Sequence, residues 1–160
     1  MPLAFSDINA EMQSAPIEPS WVLSGQPVAR NKMLSISQDT TACTLVWDCT
    51  PGVFEWRYDK DETIHILAGR AILDDGFQGP RPIAPGDVIF IPCGSRVHWT
   101  VQETIHKLAF FRNPLPGPLA KAVGLIRWWR ALRGRAAALD WMGAPGNAQT
   151  QARETQLSIR

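Results

Sequence analysis

The chain has 160 residues, 45% of them hydrophobic and 19% charged, with a formal net charge of +1. That is enough length for one domain with its own core. The composition is that of an ordinary globular protein, and no run approaches the ~18 consecutive apolar residues a membrane span requires. The charge is unevenly placed: residues 1–112 carry nine basic and thirteen acidic side chains, residues 113–160 seven basic and two acidic. An acidic body with a basic tail suggests two parts with different roles.

Residues 1–19 contain Pro16 and Pro19 among Ser and acidic residues and read as a poorly structured N-terminal arm. The segment Met1–Asp7 has neither a basic start nor an apolar run, so a secretory signal is not expected and the cytoplasm is the expected compartment. Cys43, Cys49 and Cys93 are odd in number and lack C-x-x-C spacing, which fits free thiols better than a disulfide framework or a zinc site. From Trp21 onward come short β-prone runs: Trp21–Leu23, Met33–Ile36, Cys43–Trp47, Phe54–Tyr58, Thr63–Leu67, Arg70–Leu73, Val88–Ile91, Arg96–Val101 and Ile105–Phe111. Gly and Pro punctuate them, and Asp74-Asp75-Gly76 reads as a hairpin turn because glycine accepts positive φ. Many short strands at even spacing predict an all-β sandwich or barrel over residues 20–112. Residues 113–118 hold three prolines in five positions and form an extended linker. Residues 119–142 read as a basic amphipathic helix, in which Leu125, Trp128, Trp129, Leu132, Ala136 and Leu139 alternate with Lys121, Arg127, Arg130, Arg133 and Arg135. Residues 143–160 are a polar, flexible tail.

Within the β region Glu62 lies seven residues before Gly69, and Gly86, Pro92 and Gly94 keep the spacing G-x5-P-x-G. These are the non-histidine parts of the two motifs that mark cupins. The ordered set Trp21, Gly25-Gln26-Pro27, Trp47-Asp48-Cys49-Thr50-Pro51-Gly52, Phe54-Glu55-Trp56, Tyr58, Asp61-Glu62, Leu67-Ala68-Gly69, Gly86-Asp87, Pro92-Cys93-Gly94, Trp99-Thr100-Val101 and Lys107 resembles the small single-domain cupins grouped with the ureidoglycine aminohydrolase cupin domain and the ethanolamine-utilisation cupin. It covers about residues 21–112. The resemblance implies a jelly-roll-like β-barrel, here with a C-terminal α-helical extension, often dimeric, with a pocket at one end. It supports a pocket role for Lys107.

The chain departs from the family where a metal would bind. The two motif histidines fall on Trp56 and Tyr58, and the third falls on Val97. Strand alternation puts Trp56 and Tyr58 on one face. Indole offers only an N–H donor and cannot ligate, which leaves Tyr58 and Glu62 two ligands short of a divalent metal site. The expectation is therefore no cofactor, with Trp56 filling the barrel floor and Tyr58 and Glu62 hydrogen-bonded. His65, His98 and His106 are expected to point away from the pocket, unless a bulge near Gly94 reverses the register.

Trp99, Val101, Ile105 and Lys107 share parity if Gln102-Glu103-Thr104 forms a regular hairpin, and Trp99 then faces the pocket. A lysine inside a barrel needs a carboxylate, and Glu62 is the natural partner. Trp56, Tyr58, Glu62, Trp99 and Lys107 are thus the candidate ligand-binding residues. The first functional expectation is metal-independent binding of a small polar metabolite. The alternative is an enzyme, hydrolase-, lyase- or isomerase-like, acting on a small nitrogen- or carboxylate-bearing metabolite, with Glu62 or Tyr58 moving a proton and Lys107 holding an anion. A structural ion pair that merely closes the barrel stays open beside both. A third reading is an interaction protein whose basic helix docks on a membrane surface or a protein partner. Packing of that helix on the barrel or across a dimer, burying Trp128 or Trp129, is the simpler expectation. A homodimer is expected; nucleic acid is not, since no binding motif accompanies the charge.

Overall fold

β-branched and aromatic residues alternate with polar ones along much of the first 112 residues, and the described residues form nine strands. The computed structural model describes residues 3–132. The strands are β1 (Gln13–Ser14), β2 (Val22–Gly25), β3 (Ala29–Ile36), β4 (Ala42–Cys49), β5 (Gly52–Arg57), β6 (Asp61–Asp74), β7 (Arg81–Ile83), β8 (Val88–Ile91) and β9 (Arg96–Arg112), with a 3-10 turn at Pro19–Trp21. All pairings are antiparallel, in the order β1-β3-β4-β9-β5-β2, with β6 joining β7, β8 and β9.

β9 organises this sheet. Along one side it pairs with β6 over almost its whole length; along the other it pairs first with β5 and then with β4. The hairpin expected at Gln102-Glu103-Thr104 does not form, and Arg96–Arg112 is one continuous strand. Val97, Trp99, Val101, Ile105, Lys107 and Ala109 are buried on one parity of the strand, which only the exposed Glu103 interrupts. The shared parity of Trp99 and Lys107 therefore holds for a different reason from the one expected.

The two segments expected at Thr63–Leu67 and Arg70–Leu73 are likewise one strand, β6, but here the parity does change. Glu62, Ile64 and Ile66 are buried, then Ala71 and Leu73. The register slips between Ile66 and Ala71, around Gly69 at φ +83°. A β-carbon on Gly69 would lie 2.2 Å from the Thr104 carbonyl oxygen, so the bulge requires glycine at that point.

The Asp74-Asp75-Gly76 turn opens a longer loop than a two-residue hairpin, because Leu73 pairs with Arg81. Asp74 accepts from the Gly76 amide, and Asp75 from those of Phe77 and Gln78.

The N-terminal arm is more ordered than its composition suggested. Gln13 and Ser14 pair with Asn31 and Arg30, the Ala15 amide donates to the Ala29 carbonyl at 2.9 Å, and Ile17 is buried in the core. Backbone pairing with β3 and one apolar anchor supply what side-chain composition could not.

The chain divides into two units, Met1–Pro114 and Leu115–Arg160. In the second, helix α1 runs Gly117–Leu132 and so begins within the Pro-rich segment. Pro118 is compatible with a first helical turn, where its missing N–H leaves no bond unmade. Leu119, Leu125, Ile126, Trp128 and Trp129 are all exposed in the single chain. The part of the expected helix at 133–142, and the expected tail at 143–160, lie outside the described residues. Among the described residues no helix is long and apolar enough to cross a membrane.

Candidate functional site

The inward face of the barrel carries a cavity of about 290 Å³. Its floor and walls are assembled by strand parity. β4 supplies Leu45 and Trp47, β5 supplies Phe54 and Trp56, β6 supplies Glu62, and β9 supplies Trp99, Lys107 and Phe111. Tyr58 follows β5, fixed by its amide donating to the Ser95 carbonyl (2.9 Å) and its carbonyl accepting from the Gly94 amide (2.7 Å). Asn31 of β3 and Ala15-Pro16 of the arm complete the lining. All five residues singled out from the sequence, Trp56, Tyr58, Glu62, Trp99 and Lys107, line this one space.

At its centre the Lys107 ammonium donates to Glu62 Oε1 at 2.7 Å, with side chains 8% and 2% exposed. The same ammonium lies 4.9 Å from the Trp47 ring centroid and 5.0 Å from that of Trp99. The ammonium is thus flanked by one carboxylate and two aromatic faces, each of which attracts positive charge. Phe54 stacks on Trp99 (6.1 Å, 10° between planes), and Trp56 packs edge-on against Trp21, Trp47 and Phe54. Trp56 is only partly buried and lines the cavity.

Tyr58 is buried, and its hydroxyl oxygen accepts from the Trp99 indole N–H at 3.1 Å. Tyr58 and Glu62 are thus both hydrogen-bonded as expected, to Trp99 and Lys107 respectively. Burial, and after it the negative charge of Glu62, raise the Tyr58 hydroxyl well above the usual phenol range. Tyr58 is therefore a neutral donor at physiological pH, and neither a phenolate ligand nor a base.

The histidines lie elsewhere. His98 is exposed opposite Glu55; His65 sits between Val88 and Leu108, and His106 between Asp48 and Ala68, all with parity opposite to the pocket residues. No bulge at Gly94 turns His98 inward. Among the described residues no three His, Cys, Asp or Glu converge as a metal site would need. The donor set around Glu62, an indole, a neutral phenol and an ammonium, does not fit a divalent ion.

Seven lining residues were missed in the sequence: Ala15, Pro16, Asn31, Leu45, Trp47, Phe54 and Phe111. Trp47 faces Lys107 directly in the β4–β9 register, and Phe54 faces Trp99. The alternation Leu45, Trp47, Cys49 was a usable signal for the first. Asn31 and the Ala15-Pro16 segment had none, because their place depends on the pairing of β1 with β3. Cys49 is fully buried, and burial, helped by neighbouring Asp48, pushes its thiol up to about 12, so it is not a nucleophile at neutral pH. Cys93 is exposed on the turn after β8, with its amide donating to Asp61 at 3.0 Å.

Residues 36–109 match the model of the EutQ-like cupin domain. A solved structure of a protein of unknown function from Pseudomonas syringae pv. tomato superposes with a TM-score of 0.60 at 24% identity, over 66% of this chain and 46% of that one. The barrel has the cupin fold. A second neighbour, KdgF from Halomonas sp., superposes with a TM-score of 0.52 at 13% identity, over 71% of this chain and 96% of its own. The Clostridium difficile EutQ protein matches more loosely, with a TM-score of 0.47 at 18% identity, over 54% of this chain and 63% of its own. The chain thus spans less than two thirds of the length of the Pseudomonas and Clostridium proteins. No curated protein matches the chain.

Proposed function

We propose that this cupin binds one small polar metabolite in the barrel cavity, without a metal ion, over the Glu62–Lys107 pair. The observation that carries this reading is the position of that pair: buried, hydrogen-bonded at 2.7 Å, and lining a cavity of about 290 Å³ rather than closing it. A barrel that needed only a filled interior would be served as well by apolar side chains, since a buried ion pair contributes little net stability. The cavity lies at the small end of the range for ligand sites, and its make-up of aromatic walls with a few convergent polar groups is typical of them. The ureidoglycine aminohydrolase reaction is not part of this proposal, because the positions that supply metal ligands there hold Trp56 and Tyr58.

Native mass spectrometry of protein purified from cells is the direct test. A noncovalent adduct of small mass is expected in the parent chain and absent from Leu45→Trp, which fills the cavity from β4. Equal occupancy in both would place the ligand elsewhere and end the reading.

An enzymatic version rests on the charge states at the site. Tyr58 retains its proton and can donate it, whereas Glu62 can accept one only by giving up part of its hold on Lys107. Turnover of the identified ligand, lost in Glu62→Gln while binding persists, would establish catalysis; binding without turnover leaves the domain a carrier or sensor.

A further inference from the structure

The Glu62–Lys107 pair contributes no net charge to the cavity, and each partner's charge is already answered. The Glu62 carboxylate holds the ammonium at 2.7 Å, and the indole faces of Trp47 and Trp99 are turned to that same ammonium at 4.9 and 5.0 Å. An incoming cation would find those faces taken and meet Lys107. An incoming anion would meet Glu62, or would have to break the pair and leave a carboxylate buried without its counter-ion.

What the cavity still offers is neutral hydrogen bonding. Glu62 uses only Oε1, and neither its Oε2 nor the Asn31 amide bonds to a described residue. Among the described residues no buried polar side-chain atom lacks a partner, so these unpaired atoms face accessible space. Tyr58 keeps its proton after accepting from Trp99. Acceptors and donors therefore stand together between flat aromatic walls.

We infer that the ligand of this site, on the reading proposed above, is electrically neutral and planar, with an N–H donor beside a carbonyl acceptor: a primary amide, lactam or cyclic imide rather than a carboxylate or an amine. The selecting device is the charge balance of Glu62 and Lys107, not the shape of the cavity.

Benzamide, benzoate and benzamidinium form a matched set of about nine non-hydrogen atoms each that fits such a space while varying only charge. Titration calorimetry on the full chain should give benzamide at least about tenfold tighter binding than either ion. Glu62→Gln leaves the site net positive and should move the preference to benzoate. Lys107→Met leaves it net negative and should move it to benzamidinium. Tighter binding of either ion by the parent chain would overturn the inference, and this comparison stands even if a variant fails to fold. Folded variants that keep the parent's order of preference would overturn it as well. No binding of any of the three by the parent or by folded variants would overturn both the inference and the pocket reading; ion preference in the parent would overturn the inference alone.

Discussion

Trp47 and Lys107 stand opposite each other on β4 and β9, and the indole centroid lies 4.9 Å from the ammonium that Glu62 also holds. This relationship makes the ion pair a three-sided arrangement, with Trp99 as the third side at 5.0 Å. Truncating Glu62→Ala is expected to cost about 3–5 kcal/mol, because it leaves the ammonium buried without its carboxylate. The double substitution Glu62→Gln with Lys107→Met should recover most of that loss. Urea unfolding of the two single variants and the double variant measures the coupling; additive losses would show that the pair is not a unit.

Gly69 and Gly76 separate a steric requirement from a conformational one. Both have positive φ, +83° and +74°, but an added β-carbon meets the Thr104 carbonyl only at Gly69 and meets nothing within 4 Å at Gly76. Gly76→Ala should cost about 1 kcal/mol. Gly69→Ala should cost about 3 kcal/mol or more, because the clash is with backbone on the central strand. Equal losses in the two melts would contradict the bulge described for β6.

Asp61 gives the barrel an acid-sensitive tie between β6, β9 and the turn after β8. Its carboxylate accepts from the Cys93 amide at 3.0 Å and from Arg112 at 2.6 Å, and these, in that order of effect, hold it below the usual carboxylate range. Because the folded value lies below the unfolded value, the stabilisation is complete above about pH 4. It disappears as pH falls through the depressed folded value. The stability difference between the parent chain and Asp61→Asn should accordingly be constant near neutrality and shrink in acid, as followed by urea midpoints across pH. A difference that grows on acidification would reverse the assignment.

The thiols should separate cleanly in reactivity. Cys93 is exposed, whereas Cys49 is fully buried and titrates only at about 12. A disulfide-exchange reagent at pH 8 should modify Cys93 in the native chain and reach Cys49 only in denaturant. Peptide mass mapping distinguishes the two sites, and native modification of Cys49 would show that the barrel opens far more readily than its packing implies.

How much of this was written in the sequence follows the range of the interactions. Period-2 alternation is local, so the common face of Trp56 and Tyr58 could be read directly, as could the outward parity of the three histidines. The pairing of Glu62 with Lys107, forty-five positions apart, followed from charge alone, since neither tolerates burial without the other. The local signs failed where tertiary pairing overrode them. Gln102-Glu103-Thr104 has the polarity of a turn, yet it stays extended because β6 runs alongside β9 there. The Gly69 bulge had no local sign beyond the glycine itself. Asn31, Ala15 and Pro16 reach the cavity only through a two-residue strand that composition placed in an unstructured arm.

The place of β9 at the middle of the sheet bears on how the chain is made. β4 and β5 are synthesised early, and both pair with a strand that is not complete until Arg112. During translation, at about 5–20 residues per second, the first half of the barrel must wait some seconds with Trp47, Phe54 and Trp56 uncovered. Local hairpins such as β3–β4 and β6–β8 can form in that interval, but they cannot enclose anything. Closure comes in one late step, when the arriving strand meets three partners together and the lysine reaches its carboxylate. A nascent chain of this kind is most exposed to misassociation just before its ion pair exists, which makes release from the ribosome, rather than heating of the finished protein, the hazard its sequence has to survive.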